Sequence, residues 1–312
     1  MADFDRPTRS LANVTTGQNL ADAPIPLTAS SPAPLDARAP DVVLLTVKGG
    51  ATAACARELA AQVPAGTPVV SFQNGVENVA RLRAAAPNLV ALAGMIPYNV
   101  VQVEPGYVRR TTQGVAMAER AHVTERLAWY FSRAKLPLQL RDDMPAVQWG
   151  KLLLNLNNPI NALSGLPLRA QLLDSGYRRL LAALQIEALS VLARAGITPA
   201  KVAPLAPSWI PWMLRLPTYV FQVLAAGMLR IAADARSSMQ EDRRAGRVTE
   251  IDDLCGAVVR LAETHGTAAP LNAALCALMQ AVAPAETYSA EQLRQRLRVA
   301  VGTHSINGSE LP

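Results

Sequence analysis

The chain reads as an α/β N-terminal domain followed by an all-α C-terminal domain, and three observations predict this. Asp41-Val-Val-Leu-Leu-Thr-Val-Lys48 and Thr67-Pro-Val-Val-Ser-Phe-Gln73 are short apolar β-runs with helix-like chain between them, the order of a strand–helix–strand sheet domain. From Met144 to about Val301 helical periods dominate with no convincing strand pattern. The length of 312 residues suits two domains of ordinary size. The boundary falls near Asp142, giving domains 1–142 and 143–312. Half of the residues are hydrophobic and 17% are charged, enough to bury a sizeable core, and with only 4% aromatics that core must be aliphatic.

Taken in order, the first forty residues are polar, rich in Pro, Ser, Thr and Ala, and show no sustained period. The run from Asp41 to Lys48 is almost unbroken in apolar residues, the pattern of a parallel strand buried on both faces. A helix is expected from Ala51 to about Val63, where Pro64 and Gly66 stop it. The second strand, Thr67 to Gln73, ends at Asn74-Gly75, and the helical residues after it to about Ala85 make a hairpin unlikely there. A third strand is expected from Leu89 to Gly94, running on irregularly towards Val101. Gly106 to Ala118 alternates like a single antiparallel strand, and a helix over His122 to Ala134 leads to a short strand at Leu136 to Leu140. The helical half is punctuated by Pro159, Pro167, Pro199, Pro204, Pro207, Pro211, Pro217 and Pro270. Pro159 should interrupt its helix, because it lacks a backbone N–H.

Several function classes are excluded or disfavoured. The net charge of +6 is almost all arginine and spread along the chain, with no basic block or aromatic interleaving, so small anionic ligands fit better than nucleic acid. Cys55, Cys255 and Cys276 are odd in number and form no C-x-x-C, and His122, His265 and His304 are scattered, so neither a disulfide framework nor a metal site is signalled. The longest apolar run, near Leu216 to Met228, is too short to span a bilayer and lies between Arg215 and Arg230. With no signal-peptide pattern at the N-terminus, the chain reads as reduced, soluble and cytoplasmic, without a membrane partner.

Three clusters could carry chemistry. In Trp149-Gly-Lys-Leu-Leu-Leu-Asn-Leu-Asn-Asn-Pro-Ile-Asn161, Lys151, Asn155 and Asn158 fall on one face of a helix. The simpler reading is a solvent stripe, yet here one of only four lysines stands among amides in a leucine-rich helix, and amides suit a bound carbonyl, hydroxyl or carboxylate. Lys48, before Gly49-Gly50, and Asn74-Gly75 both follow strands at their carboxyl ends, where open α/β sheets collect ligands. The third cluster is Arg236 to Asp242 with Thr249-Glu-Ile-Asp252. There Ser238 with Glu241, and Thr249 with Asp252, match the spacing of helix capping boxes, which would put Glu250 in a first helical turn.

Taken together these stretches resemble the ketopantoate reductase (2-dehydropantoate 2-reductase) family. The resemblance rests on Asp41 to Lys48, Ser71-Phe-Gln-Asn-Gly75, Lys151-Leu-Leu-Leu-Asn155, Ser237-Ser-Met239 with Asp242, and Thr249-Glu-Ile-Asp252, in order and spacing over about residues 40 to 285. It implies an NADP-binding Rossmann-like domain followed by a helical substrate domain, and reduction of a 2-oxo acid, ketopantoate to pantoate, with NADPH in pantothenate biosynthesis. Lys151 then matches the catalytic general acid, and Glu250 a catalytic glutamate near both the lysine and the cofactor. Lys48, Asn74, Val100 and Glu250 match cofactor contacts, and Asn74, Lys151, Asn155, Asn158 and Ser238 match substrate contacts. A small 2-oxo acid is the expected partner, and a homodimer is compatible with the resemblance.

The chain departs from the family pattern in three places. Asn158 matches only if one residue is deleted within the helix, since Pro159 takes its place ungapped. Ala235 stands where some members have a substrate-contacting asparagine. No G-x-G-x-x-G occurs, and nothing in residues 1–40 reads as the family's first strand, glycine turn and helix, so the first domain is expected to be an incomplete, N-terminally truncated Rossmann-like one. The rival expectation is a non-catalytic or truncated relative that binds a small acid or a protein partner without NADPH.

Overall fold

The computed structural model describes residues 12–13, 18–19, 40–98, 100–104, 107–110, 114–227, 229 and 234–304. The chain forms two compact units. The first holds residues 1–47, 51–73 and 78–144; the second holds 48–50, 74–77 and 145–312. The irregular chain expected before residue 40, with its missing glycine turn, lies almost wholly outside the described residues. Only a two-residue antiparallel ladder is described there, β1 (Ala12–Asn13) with β2 (Gln18–Asn19).

In the first unit, β3 (Val43–Leu45), β4 (Pro68–Ser71) and β5 (Val90–Met95) run parallel. Parallel neighbours need crossovers, and the breaks at Pro64–Gly66 and Asn74-Gly75 leave room for α1 (Thr52–Gln62) and α2 (Asn78–Ala85). The sheet continues with β8 (Ala116–Glu119), antiparallel to β5, and β9 (Leu138–Arg141), parallel to β8, giving the order β3-β4-β5-β8-β9. Between β8 and β9 comes α3 (His122–Arg133).

Side chains alternate across a strand, and the cores follow. Val69 and Ala91 join Leu45 in a cluster packed by α1 and α2, whereas Val70 and Leu92 join Ala116, Ala118, Leu127 and Leu138 in a second cluster that includes α3. At the carboxyl ends of β3 and β4 a buried polar network closes the unit. Gln73 Nε2 donates to Val47 O (2.8 Å) and Thr52 Oγ1 (2.7 Å), Ser71 Oγ donates to Gln73 Oε1 (2.8 Å), and Thr52 Oγ1 donates to Asn78 Oδ1 (3.0 Å).

Two strand expectations are corrected. The run Asp41 to Lys48 is not buried on both faces: Leu45 is buried but Leu44 is 42% exposed. Its strand stands at the end of the sheet order, with Leu45 in the cluster packed by α1 and α2 and Val42 only partly buried against the second cluster. The single strand expected from Gly106 to Ala118 is divided. Tyr107–Arg110 (β7) pairs with Val100–Glu104 (β6) as a separate hairpin, and only Ala116–Glu119 joins the main sheet.

The second unit is helical. Its centre is α7 (Ser175–Arg194), whose Tyr177, Leu180, Leu181, Leu184, Ala188, Val191 and Leu192 are buried in one aliphatic core. Around it lie α4 (Met144–Asn155), α5 (Asn157–Ser164), α6 (Leu168–Leu173), α8 (Ile210–Leu214), α9 (Thr218–Leu224), α10 (Ser238–Arg244), α11 (Ala257–Thr264), α12 (Pro270–Ala281) and α13 (Ala290–His304). Prolines mark the starts: Pro167 and Pro217 precede α6 and α9, and Pro270 opens α12. Pro159 acts as expected. It cannot donate to Asn155 O, so α4 ends at Asn155 and a new helix begins at Asn157. Arg178, fully buried, gives its guanidinium hydrogens to Leu172 O, Leu173 O, Leu214 O, Leu216 O and Thr218 Oγ1, stitching the α6–α7 turn to the chain around α8 and α9.

Candidate active site

All the side chains that follow, Val100 excepted, belong to the helical unit, which takes in the turns 48–50 and 74–77. Lys151 lies on α4 just after Gly150. A Cβ at Gly150 would overlap Ala200 O, so glycine there lets the 198–200 chain pack against the helix, where Ala200 N–H donates to Ala146 O (2.8 Å). Leu152, Leu153 and Leu156 are buried, so Lys151 is carried on a helix anchored on its apolar side. Burial pulls its pKa from the ordinary 10.5 to about 8, while the nearby Glu250 carboxylate partly offsets that by favouring the ammonium.

Glu250 is fixed in turn by Asn74, whose Nδ2 donates to Glu250 Oε2 at 3.0 Å. Asn74 can adopt this pose because Gly75 takes a positive φ of 94°, a conformation glycine permits freely. Next to them, Lys48 Nζ pairs with Asp242 Oδ2 at 2.6 Å and donates to Val248 O at 3.2 Å. Asp242 is nearly buried and shared, accepting also from Arg247 Nε at 2.9 Å. The Gly49 position has no room for a side chain: a Cβ would overlap the Asp253 carboxylate.

The structure therefore ties Asn74 to Glu250 by a hydrogen bond and Lys151 to Glu250 by charge, while Lys48 reaches the same chain segment through Val248 O. Asn155 shares α4 with Lys151 one turn on and is half-buried. Asn158 is half-buried in α5, past the break at Leu156, so the single face expected for Lys151, Asn155 and Asn158 is interrupted. Val100 opens β6 in the other unit and is half exposed.

The capping expectations shift by one residue. Ser237, not Ser238, caps α10: its Oγ accepts from Gln240 N–H (3.2 Å), and its own N–H donates to Asn161 Oδ1 (3.0 Å), holding it extended. Ser238 is left exposed at the first helical position. Glu250 likewise precedes its helix, which begins at Ile251 and opens with a π-turn over Asp252–Gly256. Such widened turns recur at functional sites. Sequence reasoning missed Arg247, Glu77 and Arg260, all of them partners of site segments. The signal was a charged residue beside each motif, with no pattern to say which distant group it meets.

Among the described residues there is no cluster of three or more His, Cys, Asp or Glu side chains able to hold a metal, and no helix long and apolar enough to cross a membrane. What the site offers is a desolvated amine, a carboxylate, amides and one half-exposed lysine: groups for a proton and an anion.

Comparisons with known proteins give the family. A family model described as ketopantoate reductase PanE/ApbA matches residues 6–120, and its companion, ketopantoate reductase PanE/ApbA C terminal, matches residues 143–283. A 2-dehydropantoate 2-reductase from Caulobacter vibrioides is 31% identical over 245 residues, 78% of this chain and 78% of its own length. The chain belongs to the ketopantoate reductase PanE/ApbA family. Its α/β unit followed by a helical unit is the family architecture, and its named relatives are oxidoreductases that reduce 2-dehydropantoate. A PanE/ApbA family ketopantoate reductase from Ralstonia eutropha JMP134 shares the fold, with a TM-score of 0.71 at 24% identity over 88% of this chain and 84% of its own. A D-mandelate dehydrogenase solved with NADH and anilino(oxo)acetate also shares it, with a TM-score of 0.63 at 17% identity over 94% and 85%.

Proposed function

We propose that the chain reduces a 2-oxo acid, ketopantoate by family default, to the 2-hydroxy acid with NADPH, as a step of pantothenate biosynthesis in the cytoplasm. The observation that carries this reading is the Lys151 ammonium, desolvated to a pKa of about 8 beside the Glu250 carboxylate that Asn74 holds. A ketone receiving hydride develops negative charge on oxygen. An ammonium held there stabilises that charge and then gives up a proton, and a pKa near the working pH makes the transfer efficient. Glu250 keeps the amine protonated enough to act.

The residues present fit a nicotinamide cofactor, which when bound supplies the hydride. Asn74 and Glu250 would hold its reactive end. Lys48, 44% exposed although paired with Asp242, would offer a cation on the adenosine side, and Val100 would add an apolar contact. Asn155, Asn158 and Ser238 would bind the substrate's polar groups, Ser238 through a hydroxyl not used for capping. In this reading residues 1–142 form the cofactor domain, and 143–312 the substrate domain.

The test is a pair of measurements on the 312-residue chain: NADPH titration, and turnover with ketopantoate. Saturable binding and turnover are expected, with Lys151→Ala nearly inactive. Full activity in Lys151→Ala would remove the assignment of the acid. Binding of a small acid without any NADPH binding would favour the non-catalytic relative instead.

A further inference from the structure

The turn that carries Asn74 and the helix start that carries Glu250 are joined a second time, through Arg260. Arg260 on α11 makes two parallel bonds to Glu77, Nε to Oε1 at 2.9 Å and Nη2 to Oε2 at 2.8 Å. Two more hydrogens reach Asp252: Nη1 donates to Oδ1 at 2.9 Å, and Nη2 to the backbone O at 2.8 Å. Glu77 lies three residues after Asn74 on the same turn, and Asp252 lies two after Glu250. The Asn74–Glu250 hydrogen bond is therefore one side of a closed ring, and Arg260 is the opposite side. Gly256 belongs to this arrangement, because a Cβ there would stand 2.5 Å from Asp252 Oδ1 and 3.0 Å from Arg260 Nη1.

We propose that Arg260 is a positioning residue that clamps the Asn74 turn to the Glu250 helix start, and so sets where the Glu250 carboxylate stands against Lys151. Gly75 gives the turn a pivot, and Val76 packs it against the helical core with a partly buried side chain. A lone exposed ion pair would contribute little, but a planar guanidinium held by two carboxylates and a carbonyl has fixed geometry. The proposal deepens the reading that Lys151, Asn74 and Glu250 form the reacting site, and rests on it.

The sign of one response separates positioning from a plain charge effect. Glu250 is the charged group that acts on Lys151, raising its pKa against burial. Around Arg260 the titratable groups are Glu77, Asp252 and the Cys276 thiol, which feels both Asp252 and Arg260. Removing a cation that acted directly on Lys151 would raise the lysine's pKa. Removing a clamp that places Glu250 would lower it.

The experiment follows the titration of the Lys151 amine by pH-dependent competitive amine labelling with mass spectrometry, in the wild type, Arg260→Met, Arg260→Lys, Glu77→Gln and Glu250→Gln. Arg294→Met serves as a control on an exposed pair. Arg260→Met and Glu77→Gln should move the Lys151 midpoint down, in the direction of Glu250→Gln, and Arg260→Lys should restore part of it. Arg294→Met should leave it unchanged. In turnover, kcat/KM should fall roughly tenfold in Arg260→Met, carried mainly by kcat, with no further loss when Glu77→Gln is added. A folded Arg260→Met with an unchanged or raised Lys151 midpoint overturns the clamp. Should Arg260→Met not fold, Arg260→Lys decides, because it keeps the charge and loses the two parallel bonds: a lowered midpoint supports the clamp and an unchanged one overturns it. A wild type that neither binds NADPH nor turns over would contradict the proposed function while the labelling still scores the clamp.

Discussion

The helical unit takes Lys151, Arg178 and Arg243 out of water, and it treats the first two in opposite ways. Arg178 has no solvent exposure, yet four carbonyls and a hydroxyl accept from its guanidinium, and its charge lies 4.4 Å above the Phe221 ring. Lys151 is taken from water near the Glu250 carboxylate, and burial outweighs that charge, so its proton is loosened. The difference teaches how a buried positive charge can be told apart as structure or as chemistry. A saturated guanidinium that cannot lose its proton stitches turns together, whereas a desolvated amine with a displaced pKa is poised to exchange one.

Lys151→Ala should lower kcat/KM for ketopantoate roughly 10²–10⁴-fold, and steady-state kinetics on a variant of unchanged fold would check it. Arg178→Met should do the reverse, with wild-type kinetics per folded molecule but a loss of about 3–5 kcal/mol in denaturant stability, because the acceptors it served are left buried. A large activity loss in Arg178→Met, measured on fully folded enzyme, would erase the distinction.

The pH dependence sharpens it further. The Lys151 pKa is lowered on folding, so the folded chain holds the proton less tightly than the unfolded one. The resulting cost is fully present below about pH 8 and disappears as pH rises through 10.5. Lys151→Met should therefore be the more stable protein at pH 7, by up to about 3 kcal/mol. The advantage should fade between pH 8 and 10.5, as followed by urea unfolding across that range. In the wild type, kcat/KM should decline above about pH 8 as the acid is lost.

The smallest effects separate the adjacent serines of α10. Ser237→Ala should cost about 1 kcal/mol, the usual value of a helix cap, with little change in KM. Ser238→Ala, at an exposed position, should leave stability within about 0.5 kcal/mol and raise the KM for the oxo acid. Equal behaviour of the two would show that the one-residue shift in the cap has no functional meaning.

What was legible in the sequence is what short-range physics writes there. Helices α1, α2 and α3 begin and end within a few residues of their expected limits, because Pro64, Gly66 and Asn74-Gly75 punctuate the chain locally. Pro159 divides its helix for a reason visible in one residue. Less legible was everything decided by a distant partner. The exposure of Leu44 depends on which strand ends the sheet order, and the cap at Ser237 depends on Asn161 reaching its N–H. The candidate site divides in the same way. Lys48, Asn74, Lys151 and Glu250 were named from motifs, but Asp242 as the partner of Lys48, and Arg260 as the link between Glu77 and Asp252, required the fold. Arg178 gave no sign at all, being one of many arginines in a sequence that spreads them evenly.

The central claim is that Lys151 is a desolvated acid tuned by Glu250, and the most direct test is the titration of its amine in the folded chain. The midpoint is expected near pH 8 in the wild type, and lower in Glu250→Gln. A midpoint near that of an ordinary lysine, unmoved by Glu250→Gln, would contradict it.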